Sequence, residues 1–173
     1  MMRLDVLSRE DAEQVRLWRN EDIAGARTPI LLTAEMQEQW YRDVVCNREG
    51  RHRYWAVQYD CGDLQPQPCW HLCGIAGLTN IEWENSRAEI ALMIAPAERG
   101  KGFGREALEL LLDEGFRYMG LHSIYGECYL CNPHLPFWRK MAEQYRAHTA
   151  VLKDTKYWEG MWWDSFWFCF TRG

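Results

Sequence analysis

What this 173-residue chain lacks narrows its class before any motif is weighed. No apolar run approaches the length of a membrane span, so neither a spanning helix nor a membrane partner is expected. The first ten residues mix acid and base and lack the apolar stretch of a secretion signal, which points to a cytoplasmic protein. Positive charge is not in excess. A formal net charge of −5 and a pI near 5.6 argue against a nucleic-acid partner and suit a cationic one. Repeats and low-complexity tracts are missing. The seven cysteines are odd in number and scattered, which reads as reduced thiols rather than a disulfide framework. Cys61, Cys69, His71 and Cys73 could in principle complete a tetrahedral zinc site, but the spacing Cys69-x-His71-x-Cys73 lacks the usual pair of CxxC knuckles. A long hairpin loop accounts for Pro66 and Pro68, and no metal is expected.

A hydrophobic content of 47% in 173 residues is enough for one domain over 1–173 with a full core. Its centre is Ile94 to Leu112. The apolar run Ile90 to Ile94 stops at Pro96, three glycines follow at Gly100, Gly102 and Gly104, and a helical pattern then begins. Strand, glycine turn and helix N-terminus together make a seat for phosphate, because glycine permits a tight turn and the first helical amides have no partner. Arg99, Lys101 and Arg105 add positive charge there. The spacing is neither that of a P-loop nor that of a dinucleotide fold.

The remaining elements follow from periodicity. Met1 to Val6 reads as an edge strand. Ser8 with Asp11 forms a shortened capping box for a helix from Arg9 to Arg19, with Ala12, Val15, Leu17 and Trp18 apolar. Thr33 caps a second helix running through Val45, with Met36, Trp40, Tyr41 and Val44 on one face. Strands are expected at Arg53 to Tyr59, Gly74 to Glu82 and Arg87 to Ala95, forming an antiparallel meander. A helix from Arg105 to Met119 leads to a strand at Ser123 to Leu130, parallel by the crossover rule. A last hairpin holds Val151 to Leu152 and Trp163 to Thr171 around Glu159-Gly160. Its tryptophans, Trp158, Trp162, Trp163 and Trp167, serve packing, the acceptor pocket or a homodimer face.

Arg99-Gly100-Lys101-Gly102-Phe103-Gly104 resembles the (Gln/Arg)-x-x-Gly-x-(Gly/Ala) signature of the GNAT superfamily of acyl-CoA N-acyltransferases, and Ala88-Glu89-Ile90 with Ile94-x-Pro96 resembles its fourth strand. Leu17-Trp18-Arg19-Asn20 is similar to the first helix of the RimJ/RimL-like branch, which includes amino-sugar and polyamine acetyltransferases. The resemblance implies an α+β (mixed α/β) fold. Its central twisted sheet is mostly antiparallel, with a parallel splayed strand pair at the acyl-CoA site, and about four helices flank it. It implies acetyl-CoA as co-substrate, held by the 99–105 turn, by the backbone of Leu92, Met93 and Ile94, and by Asn132, which otherwise reads as a turn residue before Pro133. The segment Glu21 to Leu32 would wall the acceptor site or be an ordinary surface loop.

The sequence departs from the family after Asn132. The run NPHLPFWRKMAEQY lacks the usual Gly-Phe pair, carries Pro136 inside the expected helix, and places Trp138 where a tyrosine is usual. Tryptophan has no acidic hydroxyl, so protonation of the departing thiolate falls to Tyr129, Tyr145 or water. The implied reaction is direct attack of a neutral amine on the thioester. Glu89 takes the amine's proton or is a structural carboxylate, with Glu82 and Glu84 in reserve. Three functions fit: acetylation of a small primary amine such as an amino sugar or polyamine, acetylation of a protein N-terminus, or a catalytically weakened acyl-CoA-binding module.

Overall fold

The computed structural model describes residues 1–62 and 69–172. Seven strands form one sheet: β1 (Met2–Val6), β2 (Arg53–Asp60), β3 (Trp70–Glu82), β4 (Arg87–Ile94), β5 (Ser123–Tyr129), β6 (His148–Trp158) and β7 (Met161–Thr171). Their spatial order is β1-β2-β3-β4-β5-β7-β6. Every pairing is antiparallel except β4 with β5, which is parallel. The helices are α1 (Arg9–Glu21), α2 (Ala34–Trp40), α3 (Phe103–Asp113) and α4 (Leu135–Gln144). Wider π turns extend α2 through Tyr41–Val45 and α3 through Glu114–Tyr118. This is the expected mixed fold.

Side-chain alternation along β4 sorts the core into two layers. Ile90, Leu92 and Ile94 face a cluster that includes Leu108, Leu111 and Leu112 of α3 and Met141 and Ala142 of α4. Met93 packs on the other face, with Ala12 and Val15 of α1 and Trp40 at the end of α2. The α3 leucines sit at i, i+3, i+4 spacing, and each contributes about 1.5–3 kcal/mol of burial. At the start of α1, Ser8 Oγ accepts from the Asp11 amide at 3.0 Å while Asp11 Oδ2 accepts from the Ser8 amide at 3.0 Å, so the shortened capping box forms.

Several expectations are corrected. Pro136 does not disturb α4, because it sits in the first turn, where a missing amide costs nothing. Strand β3 starts at Trp70 rather than Gly74, so His71 and Cys73 are strand residues and the connection from β2 is shorter. Pro66 and Pro68 lie outside the described residues. Leu17 and Met36 are exposed; the position on α2 that faces α1 belongs to Gln37, which is buried and donates to the Ala12 carbonyl at 2.7 Å. The closing hairpin is longer than expected, and β7 inserts between β5 and β6.

Gly126 of β5 sits at a tight point of the sheet's packing. A Cβ there would lie 2.5 Å from Phe168 and 2.7 Å from Ile90. Gly126→Ala should therefore cost about 1–3 kcal/mol in urea unfolding through overpacking, whereas Pro136→Ala should stay within about 0.5 kcal/mol of the parent.

Candidate active site

A cleft of about 1340 Å³ opens where β4 and β5 part. The two strands pair only from Arg87 opposite Ser123 to Glu89 opposite Tyr125, although both continue well beyond. From Ile90 onward the β5-facing edge of β4 has no strand upon it, and Leu92, Met93 and Ile94 line the gap. An extended chain bearing amides fits such an edge.

At the outer end the glycine turn meets α3. Gly100 and Gly102 have φ of +78° and +90°, a conformation that side chains disfavour, and a Cβ at either would meet nothing within 4 Å. They are needed for the backbone's path rather than for room against the protein. Gly104 differs, since its Cβ would crowd Phe137 at 3.2 Å. Gly102 caps α3 without a side-chain bond, and among the described residues the amides of Gly102, Phe103 and Gly104 have no protein acceptor. With Lys101 and Arg105 beside them, these amides fit a phosphate. The Phe103 side chain turns away and stacks on Tyr59 at 4.7 Å. Arg99 is also more structural than expected. Its Nε donates to the Ile94 carbonyl at 3.1 Å, and its guanidinium meets Asp22 at 2.8 Å.

The inner end is built on Glu89, which is 8% exposed. Both its oxygens are engaged by the Arg27 guanidinium, and Asn80 Nδ2 adds a bond at 2.7 Å. Asn80 reaches it because β3 is irregular between Thr79 and Glu82, where Asn80 takes a φ of 47° that asparagine tolerates better than most residues. The Glu89 oxygen pair holds the Arg27 guanidinium more firmly protonated than usual. Tyr54, close by, is pushed up to about 12 by burial.

Tyr129 ends β5 inside the cleft. Burial raises its pKa, an effect the adjacent Arg27 tempers, so its hydroxyl keeps its proton at neutral pH. Lys156 lies 4.7 Å from the centre of the Tyr129 ring; it is buried, donates to the Ala26 carbonyl, and has its pKa lowered by desolvation. Tyr145 is not in the cleft, since its hydroxyl donates to Glu109 of α3. Trp138 lines the cleft with its ring stacked on Phe168 at 4.8 Å. Asn132 lines it too, yet its Oδ1 accepts from the His134 amide at 2.8 Å, so it also serves the turn.

Sequence reasoning missed Asp22, Arg27, Asn80, His134 and Lys156. Asp22 bridges Arg99 and His134, the latter at 2.6 Å, from 77 and 112 positions away, and Arg27 meets Glu89 across 62 positions. Local pattern carries no signal at such separations. Only the expectation that 21–32 walls a site bore on any of them.

The model of the acetyltransferase (GNAT) domain family matches residues 2–134. A spermidine N(1)-acetyltransferase of Vibrio cholerae is 36% identical over 63 residues, which is 36% of this chain and 36% of that relative, so the match spans about a third of the relative's length. Among solved structures, spermidine N-acetyltransferase from Vibrio cholerae in complex with CoA and spermine superposes with a TM-score of 0.81 at 21% identity, over 98% of this chain and 95% of that one. A SpeG chimera from Vibrio cholerae and hSSAT gives 0.79 at 22% identity, over 98% and 94%. These likenesses establish the fold.

Asp22→Ala removes the carboxylate shared by the part-buried Arg99 guanidinium and the His134 ring, and leaves both without that partner. Stability should fall by about 1–3 kcal/mol in chemical denaturation, and hydrogen exchange should quicken in the 99–104 turn before it does in the sheet.

Proposed function

The chain belongs to the GNAT acetyltransferase domain family, and from that premise we propose that it is an acetyl-CoA-dependent N-acetyltransferase acting on a primary amine of a polyamine. One observation carries this reading: a single cleft joins a phosphate-sized turn, a free strand edge and a buried carboxylate that already holds a cation. The turn and the α3 N-terminus take the pyrophosphate of the co-substrate, and the β4 edge takes its amide-bearing arm. The thioester then lies between that edge and Glu89. Residues 1–173 act as one domain, the seven cysteines suit a reducing cytoplasm, and the exposed apolar side chains of the β6–β7 hairpin, Trp162 and Tyr157 among them, suit a homodimer.

The acceptor's charge explains the inner end. Glu89 stays paired at all times, first with Arg27 and then with the acceptor's ammonium, which enters by exchange. This avoids leaving a buried carboxylate bare. Polyamines are cations throughout their length, and Glu127, which accepts from Ser165 at 2.6 Å, faces the same cleft. Once the amine has passed its proton towards Glu89, the neutral nitrogen attacks the thioester carbonyl, the adduct's nitrogen gives up its second proton to water, and collapse breaks the C–S bond so that the thiolate leaves. Donors on the β4 edge stabilise the developing oxyanion. Tyr129, neutral and within the cleft, supplies a proton to the thiolate. Trp138 forms a wall and has no proton to give.

CoA release should be measured over polyamines, amino sugars and peptides with free N-termini. Turnover is expected with polyamines. Turnover of peptides alone would replace this reading with N-terminal acetylation, and acetyl-CoA binding without any turnover would leave a binding module. Replacing Gly102 and Gly104 together by valine should abolish the thermal stabilisation given by acetyl-CoA. Glu89→Gln should lower kcat by about 10²- to 10⁴-fold with acetyl-CoA affinity nearly unchanged, while a purely structural Glu89 would show itself as a lower Tm with turnover within a few-fold. Trp138→Tyr should change turnover by less than about tenfold, and Trp138→Ala should do more damage by removing wall from the cleft.

A further inference from the structure

We propose that Cys61, Cys69 and His71, at the end of the β2–β3 hairpin, bind one zinc ion. Their sulfur and nitrogen ligand atoms all lie within 4.8 Å of one another. The backbone brings them together. The Cys61 amide donates to the Cys69 carbonyl at 3.1 Å, which extends the ladder and sets the two cysteines against each other. Asp60 Oδ1 accepts from the amides of Gly62 at 3.2 Å and Cys69 at 3.3 Å, which ties both sides of the hairpin to one carboxylate. Cys69 and His71 are two residues apart in extended chain and so share a face, with Sγ 3.3 Å from Nε2.

These separations match a metal site. Zinc–sulfur bonds of about 2.3 Å and zinc–nitrogen bonds of about 2.0 Å at tetrahedral angles set ligand spacings of roughly 3.8 Å between sulfurs and 3.5 Å from sulfur to nitrogen. Small shifts of these partly exposed side chains close the set, and solvent takes the fourth position. Two thiolates and an imidazole exclude the hard cations magnesium and calcium. Uptake of Zn²⁺ by two thiols and a neutral imidazole releases two protons and leaves the site without net charge. Cys73 takes no part, because its thiol is buried and donates to the Val57 carbonyl at 3.4 Å.

The site stands apart from the cleft and independent of the acyl-transfer reading. Its role is to staple the hairpin. His71 lies against Tyr59 at 5.7 Å, and Tyr59 stacks on Phe103 of the glycine turn, so the ion braces the sheet where that turn rests.

The test is a titration of the reduced, chelator-stripped full chain with Co²⁺, followed by Zn²⁺. One cobalt should bind with a thiolate-to-metal charge-transfer band that zinc bleaches, and zinc should raise the Tm. Cys61→Ser with Cys69→Ser should remove the band, and His71→Ala should weaken binding by at least about tenfold. Cys46→Ser with Cys131→Ser should leave binding intact, with folding of every variant checked by circular dichroism. Absence of the band in the parent chain, or its survival in the folded Cys61/Cys69 double variant, would overturn the proposal. A Cys61–Cys69 disulfide whose reduction yields no metal-binding form would overturn it equally.

Discussion

Parallel pairing between β4 and β5 stops after three residues, and the cleft exists because it stops there. Each strand is committed elsewhere. β4 pairs with β3 through Ile94, and β5 pairs with β7 along Ser123–Tyr129, so each follows the twist of its own antiparallel neighbour and the two drift apart. Inside a core, the polar groups left on the open edge would be costly; facing a wet cleft they are available to a ligand. The glycine turn and α3 follow directly from the end of β4, which aims the helix N-terminus at the mouth of the same opening.

Buried charge then fixes the wall opposite. The segment from Asp22 to Arg27 is held by polar ties to four separate elements. Asp22 meets Arg99 and His134, Gly25 accepts from Asn132 at 3.4 Å, Ala26 accepts from Lys156, and Arg27 meets Glu89. Farther along, Arg16 and Arg19 of α1 hold the carbonyls of Leu32 at 2.9 Å and Ile30 at 2.9 Å. A wall pinned by ion pairs rather than by packing can yield to a competing cation at one point while the others keep its place. Truncating one partner of such a pair is costlier than the pair's net worth, since a desolvated charge is left behind.

Lys156 shows the same economy of placement. It is 4% exposed, with two aromatic faces near its ammonium, Tyr129 at 4.7 Å and Trp158 at 5.5 Å, and the Ala26 carbonyl in front of it. Cation–π attraction and one hydrogen bond offset part of the desolvation that lowers its pKa. The lysine thereby joins the last hairpin to the wall of the cleft. The closing strands complete the site as well as the sheet.

By itself the sequence determined the elements and the outer half of the site. The 3.6-residue spacing of Leu108, Leu111 and Leu112, the alternation along 90–94, the Ser8 cap and the three glycines before α3 are local patterns, and local patterns survive in one dimension because neighbours in the chain create them. Those patterns also placed Glu89 on the face opposite Ile90. What surrounds Glu89 was decided only by tertiary structure. Arg27, Asn80 and the Asp22 bridge come from different elements, joined by ion pairs that need no fixed spacing, and the left-handed turn at Asn80 leaves no periodic trace. Pro136 and Tyr145 make the same point in reverse. A proline is harmless or damaging according to the helical turn it occupies, and a tyrosine is a proton donor or a surface tie according to the helix face that packs, and both are settled only when the helix docks.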